Sequence, residues 1–153
     1  MLNIRKMELK DEAWVVDKDK EFFSGPAVDH PVSEKALKQT FHCALKNGYP
    51  LDGYILEDEG GKVGFSFVTW YHSTDVAGLC VMIEEIFICP GARGKGYGPK
   101  LIQYLFRQYK DAKRFRLEVT KENESACHVY KKLGFEYISY DQMYIEAPLP
   151  ESL

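Results

Sequence analysis

Two adjacent carboxylates, Glu84 and Glu85, stand inside the otherwise apolar run Val81 to Ile88. Burying a carboxylate is costly unless it is paired or put to use. Burial also lifts its pKa toward neutral pH, the range in which a general base works. Side chains alternate along a strand, so Glu84 shares a face with Met82 and Ile86, and Glu85 with Ile83 and Phe87, unless a bulge intervenes. The plain structural reading is an edge glutamate paired with a surface lysine.

Directly after this run comes Cys89-Pro90-Gly91-Ala92-Arg93-Gly94-Lys95-Gly96-Tyr97-Gly98, a glycine-rich turn between an apolar strand and an amphipathic stretch. Such a turn offers unpaired backbone N–H groups at the positive end of a helix, where a phosphate binds. Glycines at 94, 96 and 98 let an anion approach closely, and Arg93 and Lys95 add charge. The segment lacks the Gly-Lys-Ser/Thr ending of a nucleotide loop and the spacing of a dinucleotide fingerprint. Taken alone, the glycines fit a phosphate ligand or a tight strand-to-helix joint equally well.

The remaining chemistry-bearing residues form no second constellation. His30, His42, His72 and His128 share no spacing, and Cys43, Cys80, Cys89 and Cys127 contain neither a C-x-x-C pair nor zinc-ligand spacing. A metal is not expected. Cys89 lies near the glycine loop but has no His beside it in sequence, so a covalent acyl-enzyme is not expected. Trp70, Tyr71 and Tyr140 either wall an acceptor site, with Tyr71 the candidate, or belong to the core. The charged stretch Asp17 to Glu21 either attracts a polycationic acceptor or is a solvated helix face, and the solvated face is the plainer reading.

The elements that would position these residues follow from periodicity. Leu2, Ile4 and Met7 suggest a strand, and Asp11 to Phe23 a helix, broken by Gly25-Pro26 to His30-Pro31. Ser33 caps a second helix carrying the stripe Leu37, Phe41, Ala44 and Leu45, which Asn47-Gly48 stops. Tyr54 to Glu57, Val63 to Tyr71 and Val81 to Ile88 read as a meander of strands, with a turn at Asp58 to Gly61. A helix with Leu101, Ile102, Leu105, Phe106 and Tyr109 follows, then a strand from Phe115 to Val119. A fourth helix carries Ala126, Val129, Tyr130 and Leu133, and Gly134 closes it. Phe135 to Tyr140 and Met143 to Ile145 read as final strands. The pattern is α+β, a mixed and mostly antiparallel sheet with about four helices.

Composition sets the outer bounds. The 153 residues are 45% hydrophobic, with 20 Lys and Arg against 23 Asp and Glu. They describe one soluble domain with a full core. Charge is unevenly placed: 9 basic against 15 acidic residues over 1–92, 8 against 1 over 93–116, and 3 against 7 over 117–153. An acidic chain with one basic island suits a compact polyanion better than a nucleic-acid backbone. The sequence shows neither a signal-peptide pattern nor a membrane-spanning run, so the expectation is a cytoplasmic protein without nucleic-acid or membrane partners.

Arg93-x-x-Gly96-x-Gly98 after Ile88-x-Pro90 resembles the acetyl-CoA pyrophosphate motif of the GNAT superfamily of N-acetyltransferases. Asn123-x-x-Ala126-x-x-x-Tyr130-x-Lys132-x-Gly134-Phe135 resembles that family's second motif. The resemblance covers about residues 62–147, with residues 1–61 as the variable acceptor-side region of a single domain. It implies a three-layer α/β/α domain whose sheet splays between the strands at 81–88 and 115–119, with the donor's pantetheine in the gap. It further implies that Phe87 and Ile88 pair with the pantetheine through their backbones, that Arg93, Gly94, Lys95, Gly96, Tyr97 and Gly98 cradle the pyrophosphate, and that Asn123 touches the donor. Lys100 would neighbour the phosphates. By resemblance to polyamine-type members, Glu84 is the base, Glu85 binds the acceptor's cation and Tyr130 is the acid that protonates the leaving thiolate. The residues alone leave open which glutamate is the base, and Tyr130 also fits the apolar stripe of its helix. Pro99 departs from the family pattern, since it brings no N–H to the phosphate loop.

The implied activity is transfer of acetyl from acetyl-CoA to a primary amine, such as a diamine or polyamine, by direct attack in a ternary complex. A protein N-terminal or lysine acetyltransferase and a non-catalytic acyl-CoA-binding domain are the alternatives. A homodimer is a common arrangement for such enzymes.

Overall fold

The computed structural model describes residues 1–25 and 31–147. The break expected at Gly25-Pro26 to His30-Pro31 lies largely outside the described residues. Five strands form one sheet in the order β1-β2-β3-β4-β5: β1 (Asn3–Lys6), β2 (Leu51–Asp58), β3 (Gly61–Ser73), β4 (Gly78–Ile88) and β5 (Arg114–Leu117). The first four are antiparallel neighbours, and β5 lies parallel to β4 after the crossover helix α3 (Tyr97–Gln108).

The helices divide between the two faces. α1 (Glu12–Phe23) and α2 (Glu34–Ala44) cover one face, where Val15 and Phe41 pack with Phe65, Phe67 and Phe87. α3 and α4 (Glu124–Lys132) cover the other, where Leu101, Ile102 and Leu105 pack on Val68, Val81 and Ile83. The result is the expected three-layer α/β/α arrangement. Ser33 caps α2 by accepting from the Ala36 amide at 3.2 Å, and Gly134 takes φ +93° just after α4, as the sequence predicts. Asp11, fully buried at the start of α1, receives both Arg5 guanidinium nitrogens and Lys62, and so ties the helix to the β1 edge. Burial pushes its carboxyl up, but the hydrogen bonds from Arg5, Lys62 and the Glu8 amide outweigh that and hold it well below the carboxylate range.

Two expectations fail. Residues 135–147 contain no strand, although Phe135 to Tyr140 and Met143 to Ile145 carry strand-forming residues. Tyr137, Ile138, Tyr140, Met143, Tyr144 and Ile145 are all exposed, so no buried face fixes a register for them. The charged stretch Asp17 to Glu21 is also not wholly solvated. Asp19 is 1% exposed, because it follows Val15 by four residues and Val16 by three and so shares their buried helix face.

Candidate active site

The site begins where β4 and β5 part. The parallel pairing runs from Cys80–Arg114 to Ile83–Leu117 and stops, while β4 continues alone on that side to Ile88. The sheet therefore splays at Glu84, between the two strands the sequence singles out.

A bulge sits at the same point. Phe67 faces Glu85 but the next residue, Val68, faces Ile83, so Glu84 is the extra residue on β4. Simple alternation would put Glu84 and Glu85 on opposite faces. The bulge instead turns both toward α1 and α2. Glu85 precedes Phe87 of the Phe65–Phe67 cluster by two residues, and Glu84 accepts a hydrogen bond from Thr69, which follows those phenylalanines in alternation on β3.

The two glutamates then differ sharply. Glu84 is exposed, against the expectation of a buried carboxylate, and Thr69 Oγ1 fixes its orientation. Glu85 is half-buried, with Oε2 turned inward toward Asp19 of α1. Burial pushes its carboxyl well up, and the neighbouring charges of Asp19 and Glu84 push it further. Burial likewise lifts Asp19 to about 6. The backbone carbonyl of Glu85 accepts from buried Ser66 Oγ at 2.7 Å, which pins the bulge to β3. Tyr71 lies further along the same face of β3, 41% exposed, its hydroxyl accepting from Arg116 at 3.0 Å.

At the far end of β4, Pro90–Ala92 form a single 3-10 turn and Gly96 precedes α3 in the left-handed region. Gly94 has φ +79° and Gly96 φ +76°, so both positions call for glycine on backbone grounds alone. Gly98 is different. Its φ is not positive and a Cβ there would meet nothing within 4 Å, so the protein itself does not require glycine at that position. The first-turn amides of Tyr97 and Gly98 have no intrahelical acceptor, and Pro99 brings none. An open, glycine-lined helix start whose first amides have no acceptor within the helix fits a pyrophosphate.

Side chains around the loop take roles the sequence does not reveal. Arg93 Nε donates to the Ile88 carbonyl at 3.0 Å, bracing the turn. Tyr97 donates to Asp58 at 2.9 Å, so its ring points to the β2–β3 turn and only its amide faces the loop. Lys95 lies 3.8 Å from the same carboxylate, and Lys95 and Lys100 flank the Tyr97 ring.

Tyr130 and Asn123 sit on the opposite face, on α4. Asn123 caps that helix by accepting from the Ala126 amide at 3.3 Å. Tyr130 is half-buried with its ring edge-on to Phe135 at 5.9 Å, and burial pushes its phenol pKa up. It lines a cleft of about 490 Å³ between β5, α4 and residues 133–138, whose lining reaches Leu117, the partner of Ile83, but includes neither Glu84 nor Glu85. Thr69, Ser66 and Asp19 are the residues of the split that sequence reasoning misses.

Residues 12–135 match the model of the acetyltransferase (GNAT) family. The chain belongs to the GNAT family. Over 113 residues it is 33% identical to thialysine N-epsilon-acetyltransferase of Mus musculus, a match covering 67% of this chain and 64% of that protein. It is 35% identical over 86 residues to streptothricin acetyltransferase of Streptomyces lavendulae, covering 55% of this chain and 42% of that one. The chain thus spans less than two thirds of each of these relatives. A predicted acetyltransferase from Clostridium acetobutylicum, solved with acetyl-CoA, superposes with a TM-score of 0.76 at 21% identity, over 95% of this chain and 96% of that one. At that identity the likeness is one of fold.

Among the described residues no group of three or more His, Cys, Asp or Glu is placed to hold a metal ion, and no helix is long and apolar enough to cross a membrane.

Proposed function

We propose that this GNAT domain is an acetyl-CoA-dependent N-acetyltransferase whose acceptor is the primary amine of a small cationic molecule, such as a diamine. The observation that carries the reading is the conjunction at one strand: a free β4 edge, a carboxylate fixed at the split, and an anion-ready glycine loop at its end. Names of relatives support it, since one acetylates thialysine at its ε-nitrogen and another acetylates streptothricin.

The donor, when bound, supplies an activated thioester acetyl group. The loop amides of Tyr97 and Gly98, with Arg93 and Lys100 nearby, would hold its pyrophosphate, and the free β4 edge at Phe87 and Ile88 would align its arm. Asn123 is the contact proposed from the second motif. An amine with a pKa near ~10.4 arrives protonated, so a proton must leave before attack. Glu84 takes that proton directly or through water, and its exposure leaves it open to an acceptor arriving from solvent. A backbone amide near Ile88 meets the developing oxyanion. Tyr130, kept protonated by its burial, serves as the acid for the leaving thiolate.

Thiol release from acetyl-CoA, measured across diamines, polyamines, aminoglycosides, amino acids and short peptides, tests the reading. Glu84→Gln should lower kcat by roughly 10²- to 10⁴-fold, the usual worth of a general base, and Tyr130→Phe should lower kcat with little change in KM. Acetyl-CoA binding without thiol release on any amine would instead identify a non-catalytic binding domain.

A further inference from the structure

Asp19 of α1 and Glu85 of β4 come from different elements, and their side chains interact directly, with Glu84 the next charge along the strand. Asp19 is 1% exposed, and its Oδ1, like Glu85 Oε2, meets no N–H or O–H of another residue among those described. Two carboxyls so placed can satisfy one another only if one carries a proton and donates it to the other. That leaves one buried negative charge. A buried charge is ordinarily answered by a cation, and none is paired with either carboxyl among the described residues.

Most charged groups of the surrounding elements are engaged elsewhere, and Lys35 of α2 is exposed. On α1, Lys18 pairs with Asp17 and Glu21, and Lys20 with Glu34 of α2. His42 of α2 meets Glu12. Lys62 of β3 is taken by Asp11, and Arg116 of β5 donates to Tyr71. Arg93 beyond β4 braces the Ile88 carbonyl, and Glu84 only adds negative charge. Cys89 beyond β4 has its thiol pushed up by burial and so adds no charge.

We propose that Asp19 and Glu85 share a single proton and hold one uncompensated negative charge next to Glu84, which selects acceptors bearing a second ammonium group. Asp19 is thus a specificity-determining residue that acts through Glu85 rather than by touching the acceptor. Glu85 is the proton-bearing partner and not a free carboxylate for direct ion pairing. The upward displacement of both pKa values agrees with this arrangement. The inference rests on the amine-acceptor reading above and narrows its substrate class.

The test compares 1,5-diaminopentane with 1-aminopentane, which have equal length but differ in the second ammonium. In wild-type full chain, kcat/KM should favour the diamine. In the double variant Asp19→Asn/Glu85→Gln, which removes both ionisable carboxyls and keeps their shapes, that preference should fall about tenfold through a rise in the diamine KM, because Asp19→Asn alone leaves Glu85 free to ionise and keep the charge. An unchanged preference, or a parallel loss of kcat on both amines, overturns the inference while leaving the acetyltransferase reading intact. Turnover of neither amine by the wild type overturns the acceptor reading and the selective role together. A second measurement needs no variant: ¹³C carboxyl shifts of Glu85 in labelled protein should report a protonated group at pH 7, and an ionised one would overturn the shared proton.

Discussion

Asp19 shows how one side chain's environment sets a measurable property of the fold. Its carboxyl is lifted from 3.8 to about 6 by burial, with Glu85 displaced in the same direction. A carboxyl raised in the folded state binds more protons there than in the unfolded chain, so its contribution favours folding at low pH. That contribution is fully present below about pH 4 and is lost as pH rises through about 6. Asp19→Asn removes the loss. Denaturant titrations at pH 4 and pH 8 should show the variant gaining on the wild type at the higher pH by roughly 1–3 kcal/mol, since each tenfold change in proton affinity is worth about 1.36 kcal/mol. An equal difference at both pH values would mean that Asp19 is not raised. The opposite case is Asp11, equally buried but held by Arg5 and Lys62. Two buried aspartates eight positions apart in sequence thus move in opposite directions, and the difference is whether a cation is within reach.

At the scale of elements, the glycine loop separates two uses of glycine that look identical in sequence. Gly94 and Gly96 are required by positive φ, whereas Gly98 is required by nothing in the chain. Gly98→Val should therefore leave the melting temperature nearly unchanged and raise the acetyl-CoA Kd about tenfold or more, as read by calorimetry. A stability loss without a binding change would make that glycine purely structural. The same scale explains what could be read from the sequence. Capping at Ser33, closure at Gly134 and the order of elements through α4 are local signals, and each appears where its residues place it. The bulge at Glu84 is not local. It depends on how β3 and β4 register across Phe67 and Val68, so alternation alone separates two glutamates that the fold puts on one face. Asp19 lies within reach of a helical wheel through Val15, Val16 and Phe22, but the surrounding charges mask it. Residues 135–145 mislead in the other direction, since aromatic and β-branched content signals a strand only when a face is there to bury it.

The molecule as a whole is divided by charge as well as by layers. The basic segment 93–116 begins at the loop where β4 ends, with Arg93, Lys95 and Lys100 exposed, while Glu84, Glu85 and Asp19 gather on the face covered by α1 and α2. An anionic donor and a cationic acceptor would then meet at β4 from opposite sides of its free edge. This polarity makes binding of coenzyme A a test of the whole arrangement. A ligand that binds only the native state adds RT ln(1 + [L]/Kd), about 2.7 kcal/mol at a hundredfold excess over Kd. For a domain of this size, each kcal/mol corresponds to roughly 2–4 °C, so coenzyme A at that excess should raise the melting temperature by about 5–10 °C. If the exposed cations of the loop meet the phosphates as proposed, raising salt from about 50 to about 500 mM should weaken that affinity. A salt-independent effect would place the binding energy in the backbone amides and the β4 edge alone. The absence of any rise would leave the loop's glycines as no more than the joint between β4 and α3.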